Sequence, residues 1–560
     1  MLKKTIITLT AATALLAMTS CSGKLGALSA DNFNVTPNPM ETQGGYVPVT
    51  INGNFPEKYM KKKAVVTVTP ELRAADGSVL RSMPATFQGE KVMGNNQTIS
   101  YLLGGHYAMK AEFPYSDTYH KSDLWLTFNA KVGNKTVEVP AVKVANGIVA
   151  TSELYRLAMA QNGGCIAPDT FQRVRIQRQE ANVKFLINQA QLRQGELKNA
   201  TVKDFLNMIR TINNEKAAYA LNNVEVKAYA SPDGGETFND KLAQKRQNVS
   251  EKYVKDQLKK MKVNTTVGGQ YTAQDWEGFQ QLVAASNIQD KDVILRVLSM
   301  YQDPEEREQQ IRNMSAGFRE LADGILPELR RSRLIINYET IGRSDEEIQQ
   351  QYKDEPERLS VDELLYAATL DGVDDNKATE IYKKTAKIYP NDYRAYNNLA
   401  VQALKKGDTN TAQEYINKAL AVNPKAGETK ANQALMALKA GSLTKAQEFI
   451  SQAIGCNDYG YALGTFNIAK GDYKAAAENL KGQTNNMAAL AQILNKDYES
   501  ARVIFKNMKN GDGITDYLRA IMSARQGNSY AANTYLKDAI AKNSKLAYYA
   551  EDDLEFSKVK

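Results

Sequence analysis

The sequence predicts a multidomain protein that combines a β-sandwich, a mixed α/β domain and an all-α solenoid. Three observations support this fold class. Short runs of alternating apolar and polar residues fill 41–150, a strand, a Gly-rich loop and a long helix follow one another over 224–254, and helical segments recur from residue 359 with a period near 34 residues. The 560 residues are enough for three domains with separate cores.

The N-terminus carries a secretory pattern of the lipoprotein type. Two lysines precede an apolar run from Ile6 to Ala17, and small residues then lead to Cys21. This pattern predicts a signal peptide over 1–20 and lipid attached to Cys21. The alternative is an ordinary signal peptide followed by a chance cysteine. Residues 21–40, which are small, polar and contain two prolines, are expected to form the lipid anchor and a tether.

Lipid is the expected anchor because no later stretch has the roughly 18 to 20 apolar residues that a membrane-spanning helix needs. The segment 22–26 contains no acidic residue. In this respect it resembles lipoprotein sorting signals that retain a protein in the outer membrane, on its periplasmic side. The net charge of +8 is spread along the chain without a basic stripe, which argues against nucleic-acid binding.

The β-sandwich is predicted over 41–150. Its strands include Tyr46–Ile51 and Leu124–Phe128, and Asp76-Gly77 and Gly133-Asn134 supply the positive φ of tight hairpin turns. An immunoglobulin-like arrangement is the expected outcome. Residues 151–179 are expected to form a short helix and a connector.

Metal and thiol chemistry are not expected. His106 and His120 have no second ligand at metal spacing. Cys165 and Cys456 fall in segments assigned to different domains, so two separate thiols are expected rather than a disulfide.

Four segments between 180 and 340 share one likeness. They are an opening strand at Val183–Leu192, a strand at Val224–Ala230 with its Gly-rich loop, a helix that carries Asn239, Leu242 and Arg246, and an Arg-led strand at Leu329–Tyr338. Together they resemble the OmpA-like domain of OmpA C-terminal regions and peptidoglycan-associated lipoproteins. The resemblance implies a mixed α/β fold over 180–340.

The same resemblance implies a peptidoglycan-binding site. In that family an Asp after the strand and an Arg on the helix hold the diaminopimelate of the wall peptide. Here Ser231 occupies the Asp position and Arg246 the Arg position, while Asp233 could restore the lost charge and Asn239 belongs to the same helix. The alternative is that Arg246 pairs with a neighbouring acid and the domain has become a packing module.

The C-terminal part follows a charged, Gln-rich linker at 341–358 and is predicted to be a solenoid over 359–560. Gly407 and Gly441, like Ala412 and Ala446, lie 34 residues apart. This region resembles the tetratricopeptide repeat, TPR, through the following residues: Tyr396, Leu399, Ala400, Gly407, Ala412, Ile416, Ala419 and Pro424. Five or six units are expected, with the later ones degenerate.

Protein partners are expected on the concave face of this array. Asn397 and Asn398 lie on the first helix of the clearest repeat, where such side chains often hold the backbone of a partner. The alternative is a solvated helix face.

The sequence therefore predicts a non-enzymatic outer-membrane lipoprotein that acts as a periplasmic scaffold or as an accessory subunit of an envelope complex. No cofactor is expected, and the motifs of phosphate loops, serine hydrolases and zinc proteases are absent from the sequence. The alternative function is a tether between the outer membrane and peptidoglycan. An enzyme with an unrecognised site in the sandwich is a third hypothesis.

Overall fold

The computed structural model describes residues 25–288, 290–313, 319–509 and 511–559. Cys21, the predicted site of acylation, lies outside the described residues. Contacts divide the chain into two compact units. One contains the described residues up to Asp169 together with those from Ala368 onward, and the other is Thr170–Ala367. Among the described helices, none is long and apolar enough to cross a membrane.

The N-terminal part of the first unit is rich in β-structure. Its strands are β1 Phe33–Thr36, β2 Met40–Glu41, β3 Tyr46–Phe55, β4 Ala64–Arg73, β5 Val79–Arg81, β6 Ala85–Gly89, β7 Gln97–Ile99, β8 Gly105–Pro114, β9 Asp123–Val132, β10 Lys135–Asn146 and β11 Ile148–Val149. One sheet has the order β1-β3-β8, and a larger one has the order β10-β9-β4-β6-β7 with β5 paired to β4. The two sheets share one apolar core, because alternate residues of each strand turn inward.

The predicted tether over 21–40 is wrong for residues 25–40. Leu25, Leu28 and Met40 are buried in the core of the β-rich region. Phe33–Thr36 forms strand β1, which pairs antiparallel with β3. These residues are part of the fold because their apolar side chains complete its core.

The second unit is a mixed α/β layer. Its strands are β12 Val174–Lys184, β13 Tyr219–Tyr229, β14 Val267–Thr272 and β15 Arg331–Ile341, in the order β12-β15-β13-β14. Only the β13–β14 pair is parallel. After α1, Tyr155–Asn162 of the first unit, the helices are α2 Gln194–Leu197, α3 Ala200–Asn214, α4 Glu236–Lys260, α5 Trp276–Ala285, α6 Lys291–Met300, α7 Pro304–Asn313, α8 Leu326–Leu329, α9 Asp345–Asp354 and α10 Val361–Ala367.

Helix α3 packs one apolar face, with Phe205, Ile209 and Ile212, against the sheet. The segment predicted as a linker at 341–358 is not one, because it contains α9. Ser344 and Glu347 form a capping box at the start of α9, and Ile348 is buried.

The C-terminal part of the first unit is an all-helical array. Its helices are α11 Asp375–Ile388, α12 Tyr393–Lys405, α13 Thr409–Val422, α14 Gly427–Lys439, α15 Leu443–Gln452, α16 Tyr459–Lys470, α17 Tyr473–Asn479, α18 Asn486–Leu494, α19 Tyr498–Asn507, α20 Gly513–Arg525, α21 Ser529–Lys542 and α22 Leu546–Asp552. Five antiparallel pairs, from α12/α13 to α20/α21, occupy 393–542 of the described chain.

In the turn of the first pair, a glycine is followed by a capping aspartate. Gly407 adopts a positive φ of 75° after α12, and Asp408 then caps α13 by accepting a bond of 3.0 Å from Thr411 N. Asp472 and Asn528 cap the second helices of two later pairs in the same way. A small residue follows at each helix crossing, and all five are fully buried: Ala412, Ala446, Ala476, Ala501 and Ala532. Their burial confirms the register predicted from the sequence.

Candidate functional site

The first helix of each pair, called the inner helix, is buried on more sides than the second, and the inner helices α12 and α14 carry three asparagines. Asn397 and Asn398 lie on α12, which Asp392 caps, and Asn432 lies on α14, 34 residues after Asn398. All three side chains are buried. A buried amide must find partners for both its donor and its acceptor.

The partner of these asparagines is a segment of the same chain. Cys165 N donates to Asn432 Oδ1 at 2.7 Å, and Cys165 O accepts from Asn397 Nδ2 at 3.0 Å and from Asn432 Nδ2 at 2.9 Å. Two residues later, Ala167 N donates to Asn398 Oδ1 at 2.8 Å and Ala167 O accepts from Asn398 Nδ2 at 3.1 Å. The asparagines therefore pair with an extended backbone as a neighbouring β-strand would.

The amides are also tied to one another. Thr429 Oγ1 and Asn432 Nδ2 both donate to Asn397 Oδ1 at 3.0 Å, and Asn397 Nδ2 donates to Asn398 Oδ1 at 3.1 Å. Such a buried, fully connected network holds each amide in one orientation.

Two further side chains of the array donate hydrogen bonds to the backbone of the same segment. Asn457 Nδ2 donates to Ile166 O at 3.2 Å, and Arg394 Nη1 donates to Asp169 O at 2.9 Å. A Cβ on Gly164 would lie 2.3 Å from Asn432 Oδ1, and Gly163 ends helix α1 with a φ of 71°. Two glycines are therefore needed for the segment to approach the array this closely.

Helix α1 fills the next part of the concave face. It packs against α12, α16 and α18, and Tyr155, Ala158 and Met159 join the same core as the inner helices. Tyr155 Oη donates to Leu438 O at 3.2 Å, and Asn486 N donates to Gln161 Oε1 at 2.8 Å. The prediction that Asn397 and Asn398 hold an extended backbone fits this geometry, but the backbone is that of residues 165–167. They are not a solvated helix face.

The two cysteines both lie in this first unit, contrary to the prediction of different domains. Both thiols are free. Burial raises the pKa of Cys165 well above its ordinary value and raises that of Cys456 to about 12. Two unreactive thiols follow.

The second unit places the predicted wall-binding residues around one cavity of about 280 Å³. Ser231, Asp233, Asn239 and Arg246 all line it, as does Arg330 at the end of α8. Asn239 Nδ2 donates to Ser231 O at 2.9 Å and to Gly234 O at 2.8 Å, so it holds the loop between β13 and α4.

Arg246 is almost fully buried and is used by the fold. Its guanidinium donates to three backbone carbonyls, Tyr229 O at 2.9 Å, Gln189 O at 3.0 Å and Leu186 O at 3.2 Å. Burial, and then the neighbouring Arg330 cation, lowers the pKa of Arg246 to about 10. The hypothesis that Arg246 pairs with a nearby acid is not what the structure shows, because its hydrogen-bond partners are carbonyls.

The acid at this site has a partner of its own. Asp233 Oδ2 accepts from Arg330 Nη2 at 3.0 Å, and Ser231 Oγ donates to Asp233 Oδ1. Arg330 Nε also lies 3.3 Å from Ser231 Oγ. Arg330 thus neutralises the carboxylate that the sequence offered as a substitute for the missing family Asp.

Comparison with known proteins supports the repeat. A family model described as Tetratricopeptide repeat matches residues 381–414, so the chain contains such a repeat. A search of curated proteins found no match to the sequence. Among the described residues, no group of three or more His, Cys, Asp or Glu side chains is arranged to hold a metal ion.

Solved structures with a similar backbone include a tetratricopeptide repeat protein from Parabacteroides merdae, 13% identical over 44% of this chain and 97% of that one, with a TM-score of 0.28. PilF of Pseudomonas aeruginosa is 16% identical over 39% of this chain and 100% of that one, with a TM-score of 0.26. PilW, a type IV pilus biogenesis factor, is 18% identical over 36% and 97%, with a TM-score of 0.25. Scores this low carry no functional inference.

Sequence reasoning missed three members of these two sites. Asn432 could have been found from its distance of 34 residues from Asn398. Arg330 could have been found only as one of several arginines before the last strand. The segment 163–167 carried one signal, its Gly-Gly pair.

Replacing Asn397 and Asn432 together by Ala removes the three hydrogen bonds to Cys165. Each is worth about 1 kcal/mol, so the segment should open more often and expose Cys165. We expect maleimide to label Cys165 at least about tenfold faster than in the unaltered chain, as read by mass spectrometry of its peptide.

Asn410→Ala on the exposed end of α13 is the matched control and should leave the labelling rate unchanged. Thermal melting of both variants separates local opening from global unfolding. Equal labelling of Cys165 in the double variant and the control would show that the asparagines do not hold the segment.

Proposed function

We propose that the chain is a non-enzymatic scaffold or accessory subunit of an envelope protein complex, anchored by lipid at Cys21 to the periplasmic side of the outer membrane. The tetratricopeptide array carries this proposal, because such arrays are typically surfaces for protein partners. The lipoprotein pattern that ends at Cys21 supports the anchor and the location.

The outer helices of the array are the proposed partner surface. Segment 163–167 and α1 already cover the inner helices α12, α14 and α18. The outer helices α19 and α21 each bury one stripe only, and they expose Val503 and Tyr530 to solvent. Exposed apolar and aromatic side chains on a rigid array favour a protein contact there.

A photo-crosslinking residue in place of Val503 or Tyr530 tests this proposal in native envelopes. We expect adducts with envelope proteins in the membrane fraction, since the partner would lie against the outer helices. The same chain with Cys21→Ala should leave the membrane fraction and lose the adducts, because lipid is the proposed anchor.

The crosslinking residue at Met83, an exposed position of the β-rich region, is the control. Adducts of equal yield from Met83, or none from either outer helix, would contradict the proposed partner surface. Retention of Cys21→Ala in the membrane at the unaltered level would contradict the anchor.

The alternative function is a tether to peptidoglycan, and the cavity beside Arg246 is the observation that favours it. The strand order β12-β15-β13-β14 and the loop before α4 are consistent with the proposed OmpA-like domain. The β-rich region is, in the same proposal, immunoglobulin-like. Both assignments rest on the sequence patterns that suggested them.

The hydrogen bonds at this cavity favour the scaffold over the tether. The guanidinium of Arg246 donates to three backbone carbonyls, and the carboxylate of Asp233 is paired with Arg330. A zwitterionic ligand would therefore have to compete with partners that are already in place.

Ser231→Asp separates the two functions in a binding assay with soluble peptidoglycan fragments. We expect the unaltered chain to bind feebly and Ser231→Asp to gain about tenfold, because a charge-assisted hydrogen bond is worth roughly 1.5–3 kcal/mol. Ser231→Asn is the neutral control and should gain nothing. If the unaltered chain binds the fragments tightly and Asp233→Asn loses that binding, the peptidoglycan tether would be favoured over the scaffold.

A further inference from the structure

One end of the β-rich region collects four loops. Strand pairing brings the end of β3 beside the start of β8, and the start of β4 beside the ends of β6 and β9. The parallel pair β6–β7 also ends here. The connections 56–63, 90–96, 100–104 and 133–134 therefore lie together, and we name this surface the lysine end.

The lysine end is strongly basic. Its loops, the adjoining strand residues 131 and 135, and Asp31, which precedes β1 beside the end of β3, contain three acids against seven lysines. The acids are Asp31, Glu57 and Glu90, and the lysines are Lys58, Lys61, Lys62, Lys63, Lys91, Lys131 and Lys135. All the lysines except the half-buried Lys61 are exposed. Within the part of the chain that the structure describes, none of the seven is in an ion pair.

Exposed apolar side chains stand among these lysines. Met93 is 99% exposed, Leu103 is 81% exposed and Leu102 is 62% exposed. They lie on the 90–96 and 100–104 loops, which are joined because Glu90 Oε1 accepts from Ser100 Oγ at 3.0 Å and from Tyr101 N at 3.3 Å. Large side chains at such exposure cost hydration free energy unless a partner covers them.

The loops are held to one another by backbone bonds. Lys58 N donates to Tyr101 O at 2.6 Å, and Lys91 N donates to Lys62 O at 2.7 Å. Lys61 Nζ lies over the Tyr101 ring at 5.1 Å from its centroid. The lysines and the apolar tips thus form one preorganised surface.

We propose that the lysine end docks on the surface of an anionic phospholipid membrane. The lysines match the negative headgroups, and the tips of Met93, Leu102 and Leu103 enter the boundary between headgroups and acyl chains. Basic residues around a small apolar tip meet the two requirements of that boundary, which is charged outside and apolar inside.

The position of the β-rich region in the chain agrees with this orientation. Cys21 precedes Leu25 by four residues, which span at most about 14 Å, and Leu25 is buried in the core of the β-rich region. This region would therefore be held close to the membrane. That step rests on the proposed acylation of Cys21, whereas the charge and the exposed tips do not.

Vesicle binding by the chain from residue 22 onward, without lipid, tests the proposal independently of acylation. We expect it to sediment with phosphatidylcholine vesicles that contain about 30% phosphatidylglycerol, and not with phosphatidylcholine alone. Raising NaCl to about 0.5 M should weaken binding at least about tenfold, because salt screens exposed charges.

The variant with Lys58, Lys62, Lys63 and Lys91 all changed to Gln should bind the anionic vesicles at least about tenfold more weakly. The matched control changes four exposed lysines of the helical array to Gln, and it should bind within about twofold of the unaltered chain: Lys445, Lys474, Lys506 and Lys537. Both variants lose the same charge, so the difference reports position.

Met93→Ser with Leu103→Ser should weaken vesicle binding about fivefold, because less apolar surface enters the boundary. Met83→Ser, at the other end of the β-rich region, is its control. Absence of vesicle binding, or equal loss in the two quadruple lysine variants, would overturn the proposal. Retained vesicle binding by the variant changed at Lys58, Lys62, Lys63 and Lys91 would also overturn it.

Discussion

The attachment of residues 163–167 to the helical array depends on three amide side chains, which pair with the backbone of Cys165 and Ala167. An asparagine carries one donor group and one acceptor, so it can satisfy the N–H and the C=O of an extended residue together. Asn432 and Asn398 do so for Cys165 and Ala167. In this pairing the amides contact only backbone atoms of the segment. Because these contacts are buried, loss of one amide leaves unsatisfied polar groups, each of which costs about 1–3 kcal/mol. The segment follows α1, which comes directly after the β-rich region, so the pairing holds the chain that leaves this region against the array.

This constraint changes what the array can do. A repeat array with an empty concave face is a receptor for extended peptides. Here that face is occupied near Asn397 by the chain itself, and the inner helices are buried from two sides. In our proposals, a protein partner would contact the outer helices, and the lysine end of the β-rich region would dock on a membrane. In this proposal the scaffold binds its partners through surfaces outside the concave face of the array.

Local patterns predicted more of this structure than did arguments about partners. Strand alternation and the 34-residue period depend on neighbours a few residues apart, and Ala412 and Ala446 lie where that period put them. Asn397 and Asn398 were found for the same reason, but their ligand lies more than 230 residues earlier, and no local pattern in Gly163-Gly164-Cys165 reports a contact at that distance. At the other site, Arg246 lines one cavity with Ser231, Asp233 and Asn239, whereas its bonds to carbonyls and the pairing of Asp233 with Arg330 depend on how loops converge. The prediction of a flexible segment over 21–40 was wrong because it rested on the small, polar composition of those residues, whereas Leu25 and Leu28 are buried in the core.

Amide hydrogen exchange at Cys165 and Ala167 tests the central claim most directly. Both N–H groups donate to buried asparagines, so exchange should require opening of the array itself. The account predicts that these two amides exchange as slowly as the interior amides of α14. Exchange as fast as that of the exposed 90–96 loop would contradict it, because residues 165–167 would then not be bound to the asparagines of the array.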